Sequence, residues 1–291
     1  MNTQISRIRP VIIILTFALI AGCGGQQHRT KSSVVDYLYP DKSEVNIKPS
    51  VPVLNIPARV GIAFVPDQAT RSTGVNLWGG ANQGGTLTEA KKTELLEIVA
   101  DHFKKHEFVS DIEVIPSAYL TEAGSFSNLD QIKTMYGIDV IALVSYDQVQ
   151  FTDENWLSLS YWTIVGAYVV SGEKNDTSTM IDTVVYDIKS RKMLFRAPGT
   201  SNIKGSATPV NLSEQLRTDS IEGYEQATAD MIKNLDIQLT KFKDEIKTKP
   251  EEVKVIYKKG YSGGGATGLF ELAIMLLIIG FRITGFRIKR S

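Results

Sequence analysis

The sequence predicts an α/β domain in which helices pack on a mixed β-sheet, with a membrane-directed segment at each end. Short apolar runs of strand length alternate with segments in which apolar residues recur at helical spacing. The composition, 43% hydrophobic and 22% charged residues in a chain of 291, is that of a globular protein of one or two domains. The order βαβαβ, followed by a β-meander and a long helix, predicts a mixed sheet.

The first half of the domain contains five alternating elements. In chain order they are a strand at 60–65, a helix at 91–108, a strand at 112–115, a helix around 129–136 and a strand at 139–151. Thr88 precedes the first helix, in which Leu95, Leu96 and Val99 lie at helical spacing.

The second half is richer in strands and ends in a long helix. The strands are predicted at 156–170, 178–188 and 192–197. The helix opens at Asn211, and Glu214 completes a pattern that resembles a capping box. Residues 155–172 carry no charge. We expect strands there rather than a membrane span, because a span would place residues 173–265 in the cytoplasm and the basic tail of the chain outside.

This order of elements resembles the α/β domain of other envelope lipoproteins and secretion factors. Examples are the TolB amino-terminal domain and the curli-secretion channel lipoprotein. The resemblance is one of pattern and implies a fold. It does not imply an activity, because one fold carries many functions.

The central part of the chain is bounded by changes in composition. Residues 23–58 are polar and then proline-containing, which predicts a tether; residues 59–250 form the α/β domain; residues 251–265 form a charged, glycine-rich linker. Without the ends, 1–22 and 266–291, the chain carries 26 basic and 31 acidic residues. This negative balance argues against nucleic acid as a partner.

The first end, residues 1–22, predicts an export signal. Arg7 and Arg9 form a short positive region. Residues 11–20 form an apolar run that is too short to span a hydrocarbon core of ~30 Å. We therefore interpret the segment as a cleavable signal peptide.

The signal ends in a motif that resembles the lipobox of bacterial lipoproteins. The motif comprises Leu19, Ile20, Ala21, Gly22 and Cys23. The resemblance implies that lipoprotein-processing enzymes attach a diacylglycerol to the thiolate of Cys23 and make it the mature N-terminus, so that membrane lipid is one partner. The alternative is an ordinary signal peptide followed by a chance cysteine or a buried one.

Cys23 is also the only cysteine of the chain, which excludes an intramolecular disulfide and a thiolate metal cluster. Gly24 follows it. By resemblance to lipoproteins of Gram-negative bacteria, the usual aspartate signal for retention in the inner membrane is lacking here. We therefore expect the protein at the outer membrane or the cell surface.

The other end, residues 266–291, predicts a short membrane helix with a basic tail. The apolar run 266–281 would be about 24 Å long as a helix and includes Glu271, so it is a marginal span. The basic residues after it should remain cytoplasmic. They are Arg282, Arg287, Lys289 and Arg290. The alternative is an amphipathic or core helix at the end of the fold.

A glycine motif precedes this helix. Gly263, Gly264, Gly265 and Ala266, followed by the short apolar run and the basic tail, resemble the GlyGly-CTERM sorting signal. That signal is recognised by rhombosortase, a rhomboid-family intramembrane serine protease. With the lipobox, the chain resembles the rhombotarget lipoprotein family. The resemblance implies that a rhombosortase-like protease removes the residues beyond the glycines, so that the inner-membrane helix is transient.

The residue pattern predicts no catalytic site, metal site or cofactor. His28 lies in the expected tether, and His102 and His106 lie at i, i+4 spacing on the first helix. We interpret that pair as solvated, with a zinc site as the alternative. No nucleophile elbow or phosphate-loop motif is present. The long loop 66–88 contains Trp78, a candidate anchor for a partner protein.

The expected function is therefore that of a binding or accessory lipoprotein, rather than an enzyme, that contacts an unknown envelope protein. One alternative is an envelope hydrolase with an unidentified carboxylate site. Another is an inner-membrane scaffold that keeps both anchors. Four aspartates at or near strands serve equally well as caps, turns or edge charges, so no acid/base pair can be assigned. They are Asp139, Asp147, Asp182 and Asp187.

Overall fold

A computed structural model describes residues 26–40, 50–68, 71–73, 87–154, 173–207, 211–259 and 261. With strands numbered in chain order, seven of those within these ranges form one mixed sheet: β1 (Gln26–Lys31), β3 (Ala58–Phe64), β4 (Arg71–Thr73), β5 (Val109–Val114), β6 (Val140–Glu154), β7 (Glu173–Asp187) and β8 (Lys192–Ala207). Two others, β2 (Val53–Ile56) and β9 (Lys254–Tyr257), form a separate parallel pair. The helices are α1 (Val34–Leu38), α2 (Glu89–Phe103), α3 (Ser125–Tyr136) and α4 (Leu212–Thr248), with a 3₁₀ turn at Ser117–Tyr119.

The long strand β6 organises the sheet. Along one edge it pairs in parallel with β3 over residues 140–144, and then antiparallel with β1 over residues 147–152. Along the other edge it pairs antiparallel with β7, which in turn pairs with β8. As a result, β1 and β3 lie end to end beside the same strand.

Helices cover both faces of this sheet. Successive strand residues point to opposite faces. Ala142 and Val144 therefore join a core cluster with Leu95 of α2 and Met231 of α4. The alternate residues of β6 join a second cluster with residues of α1 and α3. That cluster includes Ile141, Leu143, Val34, Tyr37, Leu129 and Ile132.

The predicted architecture of a mixed sheet with helices packed on it is confirmed. Strands β3, β5, β6, β7 and β8 and helices α2, α3 and α4 overlap the segments where the sequence predicts them, although α2 ends earlier, at Phe103, and β8 ends later, at Ala207. Thr88 caps α2, since its hydroxyl oxygen accepts a hydrogen bond of 3.3 Å from the backbone N–H of Lys91. Asn211 occupies the N-cap position of α4 but makes no side-chain capping bond, so the capping box predicted with Glu214 is not formed. None of the helices in the described ranges is both long enough and apolar enough to cross a membrane.

Much of the predicted tether at 23–58 belongs to the fold. β1 pairs with both β6 and β4, and α1 buries Val34, Tyr37 and Leu38. β1 is held by backbone hydrogen bonds, which its polar sequence does not reveal, and a five-residue helix is too short to show a helical period. The predicted linker at 251–265 likewise contains β9, which pairs with β2.

Candidate functional site

A large apolar cavity lies at the end of the sheet where β3, β5 and β6 begin. Its volume is about 960 Å³, and it is lined by the sheet, α2, the second half of α4 and the β2–β9 pair. The sheet contributes Val60, Ile62, Val140, Ala142, Val185 and Phe195. The helices contribute Val99, Phe103, Leu235, Leu239, Phe242 and Ile246. The β2–β9 pair adds Leu54, Ile56 and Val255.

The packing of α4 explains where the cavity begins. At Gly199 of β8 the helix backbone meets the sheet directly. A Cβ atom there would lie 2.2 Å from the carbonyl oxygen of Ala227 and 2.3 Å from the backbone nitrogen of Met231. From Leu235 onward, residues of α4 and of the facing strands line the cavity. The cavity therefore starts where this close approach ends.

The exposed side of the cavity carries its ionisable side chains. They are His106, Glu107, Lys243, Lys247, Tyr257 and Tyr261. The Nζ atom of Lys243 lies 4.2 Å from the ring centroid of Phe108. The rings of Tyr257 and Tyr261 stack with their centroids 5.8 Å apart. An apolar interior with a polar rim suits a ligand that has an apolar body and a polar end.

The two histidines predicted as solvated helix residues are half-buried between helices. α2 ends at Phe103, so His106 lies beyond it. The Nε2 atoms of His102 and His106 lie 2.9 Å and 4.0 Å from the two carboxylate oxygens of Asp236 on α4. The prediction that both histidines are solvated is therefore wrong. Their i, i+4 spacing in the sequence does not reveal that α4 places Asp236 beside them. Burial lowers the pKa of His106, and the ammonium group of Lys243 lowers it further.

Within the described ranges, no group of three or more histidine, cysteine, aspartate or glutamate side chains is arranged to hold a metal ion. The four predicted aspartates each have a separate partner. The partners are Lys133 for Asp139, Arg29 for Asp147, Arg196 for Asp182 and the backbone N–H of Ser190 for Asp187. These carboxylates therefore act as edge charges and turn acceptors.

An ion cluster fills the opposite end of the same sheet face, where β3 ends and α2 begins. The Nζ atom of the buried Lys92 lies 2.8 Å from Asp67 and 3.0 Å from Glu89. Burial acts to raise the pKa of Glu89, but hydrogen bonds from Ser117 and Lys92 outweigh it and hold that pKa below its ordinary value. The carboxyl ends of parallel strands often bind ligands. Here the charged side chains bind one another.

A band of buried polar side chains lies under the first half of α4. The Nε2 atom of Gln148 donates hydrogen bonds of 2.7 Å to the hydroxyl of Thr179 and 3.0 Å to the carbonyl oxygen of Ser220. Gln150 donates a hydrogen bond of 2.8 Å to the carbonyl oxygen of Leu216. This polar band thus joins sheet and helix by directed bonds.

The comparisons with known proteins show no family. No protein-family model matches the chain, and no curated protein matches it. The chain is similar to a dodecameric PelC variant from Paraburkholderia phytofirmans, with 12% identity, 65% of this chain and 94% of that chain covered, and a TM-score of 0.29. A DUF330 protein from Xanthomonas campestris has 10% identity, 67% and 97% coverage, and a TM-score of 0.32. A neuraminyllactose-binding hemagglutinin homolog from Helicobacter pylori has 11% identity, 73% and 97% coverage, and a TM-score of 0.31. These scores are too low to carry an argument about function.

The site residues predicted at the two ends and in the long loop lie outside the described residues, as does the uncharged run 155–172. They are Leu19, Ile20, Ala21, Gly22, Cys23, Trp78, Gly263, Gly264, Gly265, Ala266, Arg282, Arg287, Lys289 and Arg290.

Sequence reasoning missed the cavity and the polar band. The apolar residues of β3, β6 and α4 indicate a buried interface, but they do not indicate whether the facing side chains meet. Gln148 and Gln150 alternate with less buried residues of β6, and a polar residue at every second position of a long strand is the one signal that could have located the polar band.

Proposed function

We propose that this chain is an exported lipoprotein whose α/β domain binds an elongated apolar ligand as a binding or accessory component of the envelope. The observation that supports this activity is the cavity of about 960 Å³. Pockets for small molecules measure roughly 300–1,000 Å³ and are mostly apolar with a few polar groups. This cavity lies at the upper end of that range and has its ionisable groups on the exposed side.

The physical reason for a ligand is the chemistry of the lining. Aliphatic and aromatic side chains that face open space lose dispersion contacts on that side. Each methylene group of a ligand that is buried there contributes about 0.8 kcal/mol. An acyl chain supplies many such groups in a flexible, narrow shape, which suits an irregular apolar space.

The proposed membrane anchor lies at the other end of β6. Gln26, three positions after Cys23, pairs with Thr152, whereas Val140 lines the cavity. These two points of β6 are about 40 Å apart along the strand. A lipid on Cys23 would therefore hold the domain with the cavity directed away from the anchoring leaflet.

The maturation that we propose follows from the two terminal motifs. Processing enzymes lipidate Cys23, and a rhombosortase-like protease cuts near residues 263–266, which leaves the protein at the outer membrane or cell surface. A relationship to the TolB amino-terminal domain is part of the same proposal. A partner envelope protein would exchange the ligand or hold the domain in place.

Photo-crosslinking in cells tests ligand binding on the whole chain. We expect p-benzoylphenylalanine in place of Phe195, which lines the cavity, to give lipid adducts, because its ketone would lie against the bound chain. The matched control is the same replacement of Phe151, which lies 43% exposed near the far end of β6. Equal adducts at both positions, no adduct at 195, or an adduct with residues 266–281 of the chain would each contradict the proposal.

Intact-mass measurement of the native protein tests the maturation. We expect a species that begins at acylated Cys23 and ends before Phe281. Cys23→Ser should abolish the acylated species, because serine lacks the thiolate that takes up the diacylglycerol. Fatty-acid labelling of the Cys23→Ser protein at the normal level would contradict the lipobox assignment, and a retained 281–291 segment would contradict the sorting signal.

A further inference from the structure

We infer that the ligand of the cavity is an anionic diacyl phospholipid whose head group contacts Lys243. This inference rests on the proposed function and specifies its ligand. Its two supports are the size of the cavity and the charges at its mouth.

The size of the cavity indicates two acyl chains rather than one. A methylene group occupies about the volume that one water molecule takes in the liquid, ~30 Å³. The cavity of about 960 Å³ therefore holds roughly thirty such groups. This is the acyl content of a diacyl lipid with chains of ordinary length. A single-chain fatty acid would leave about half of the apolar lining without contacts.

The charges at the mouth indicate where the head group lies. A phosphate is disfavoured in the interior, because the lining there is apolar apart from the hydroxyl of Thr183, which contacts the sulfur of Met231 and cannot replace the hydration of a phosphate. It must remain on the exposed side, beside the ionisable residues. Of these, Lys247 pairs with Asp244 at 3.3 Å on the same helix. Burial raises the pKa of Tyr261, and the nearby carboxylate of Glu107 raises it further.

Lys243 is the cation left for a ligand. Among the described residues it has no carboxylate partner, and its ammonium group lies over the ring of Phe108 at the mouth. His106, the neighbouring titratable group, is held neutral near pH 7 by burial and by Lys243 itself, which lower its pKa. A phosphate at this position gains an ion pair with an ammonium group that already lies against the ring of Phe108.

The test uses the full chain with p-benzoylphenylalanine in place of Phe195, in cells whose membranes contain phosphatidylethanolamine and phosphatidylglycerol. Lipid adducts are identified by mass. We expect diacyl adducts in which phosphatidylglycerol is enriched about threefold to fivefold over its share of the membrane, since a partly exposed ion pair is weak. In the same background, Lys243→Glu should return the adducts to the membrane ratio or below it.

Lys241→Glu is the matched control. It makes the same charge change on the same exposed part of α4, but Lys241 does not line the cavity. It should keep the enrichment. Equal ratios in Lys243→Glu and Lys241→Glu, adducts in the membrane ratio without any substitution, or single-chain adducts would each overturn this inference while leaving ligand binding intact. The absence of adducts at position 195 would overturn the proposed function as well.

Discussion

The two halves of α4 cover the same sheet in different ways. Its first half, up to Met231, lies on β7 and β8 so closely that Gly199 has no room for a side chain, and hydrogen bonds of the polar band join it to β6. Its second half, from Leu235 to Ile246, stands over the cavity. One helix thus provides a tightly packed interface and an open one.

The difference shows how a rigid position and a binding space can coexist on one helix. Hydrogen bonds are directional, and a buried polar group left without a partner is costly, so the polar band sets the register of α4 on the sheet. Apolar contact is non-directional and tolerates open space where a ligand can supply the missing surface. The first half therefore fixes the helix that the second half uses as a wall.

The largest effect on the free energy of unfolding is expected when the close approach of α4 to Gly199 is prevented. Gly199→Ala places a Cβ against backbone atoms of Ala227 and Met231, which cannot rotate away, so we expect the free energy of unfolding to fall by about 3 kcal/mol. Urea denaturation measures this. Thr200→Ala, at the next, exposed position, should change it by no more than ~0.5 kcal/mol. Similar losses in both variants would mean that the close approach is not what holds α4.

A smaller loss is expected from the polar band. Gln148→Leu keeps the size of the side chain but removes the donor to Thr179 and to the carbonyl oxygen of Ser220, which should cost about 2 kcal/mol. Adding Thr179→Val should cost less than the sum of the single changes, because the two side chains share a bond. Urea denaturation of the four proteins measures the coupling. Additive losses would show that the polar band does not act as a unit.

The smallest effect is expected in the pH dependence of the free energy of unfolding, which compares a histidine near the polar band with one at the cavity. Burial lowers the pKa of both His28, on the sheet face that carries the polar band, and His106, at the cavity, below the ordinary value of 6.5. As pH falls below 6.5, the histidines of the unfolded chain therefore become protonated before those of the folded protein. The free energy of unfolding is at its full value above pH 6.5 and decreases as pH falls through the lower pKa values of the folded state. Denaturation at pH 7 and pH 5 measures the loss.

We expect His28→Leu to reduce that loss more than His106→Leu. Among the described residues, both ring nitrogens of His28 are buried without a hydrogen-bond partner, compared with Nε2 alone in His106. Asp236 also opposes the lowering at His106, whereas Lys243, Lys105 and His102 add to it. An unchanged loss in His28→Leu would exclude a contribution from this histidine.

Local patterns in the sequence were sufficient for most elements of the domain. The run of residues at 139–151 and the helical spacing of Leu95, Leu96 and Val99 depend only on neighbouring residues, so they identify β6 and α2 directly. The end of α2 was misjudged, because the predicted helix at 91–108 included the segment after Phe103. The segment predicted as a tether, 23–58, was misjudged because its structure depends on pairing with distant strands, such as that of β1 with β6, and not on a local pattern.

The sequence by itself determined the fold class and the two terminal motifs on which the proposed maturation depends. These features are local: a run of apolar residues, a small-residue motif before Cys23 and a period of two or 3.6 residues. The tertiary structure alone decided that the polar residues of β1 complete the sheet, that Asp236 faces the histidines and that α4 leaves a cavity beyond Leu235. The physical reason is that pairing, contact and open space depend on the distance between elements, and side-chain periodicity within one element carries no information about that distance.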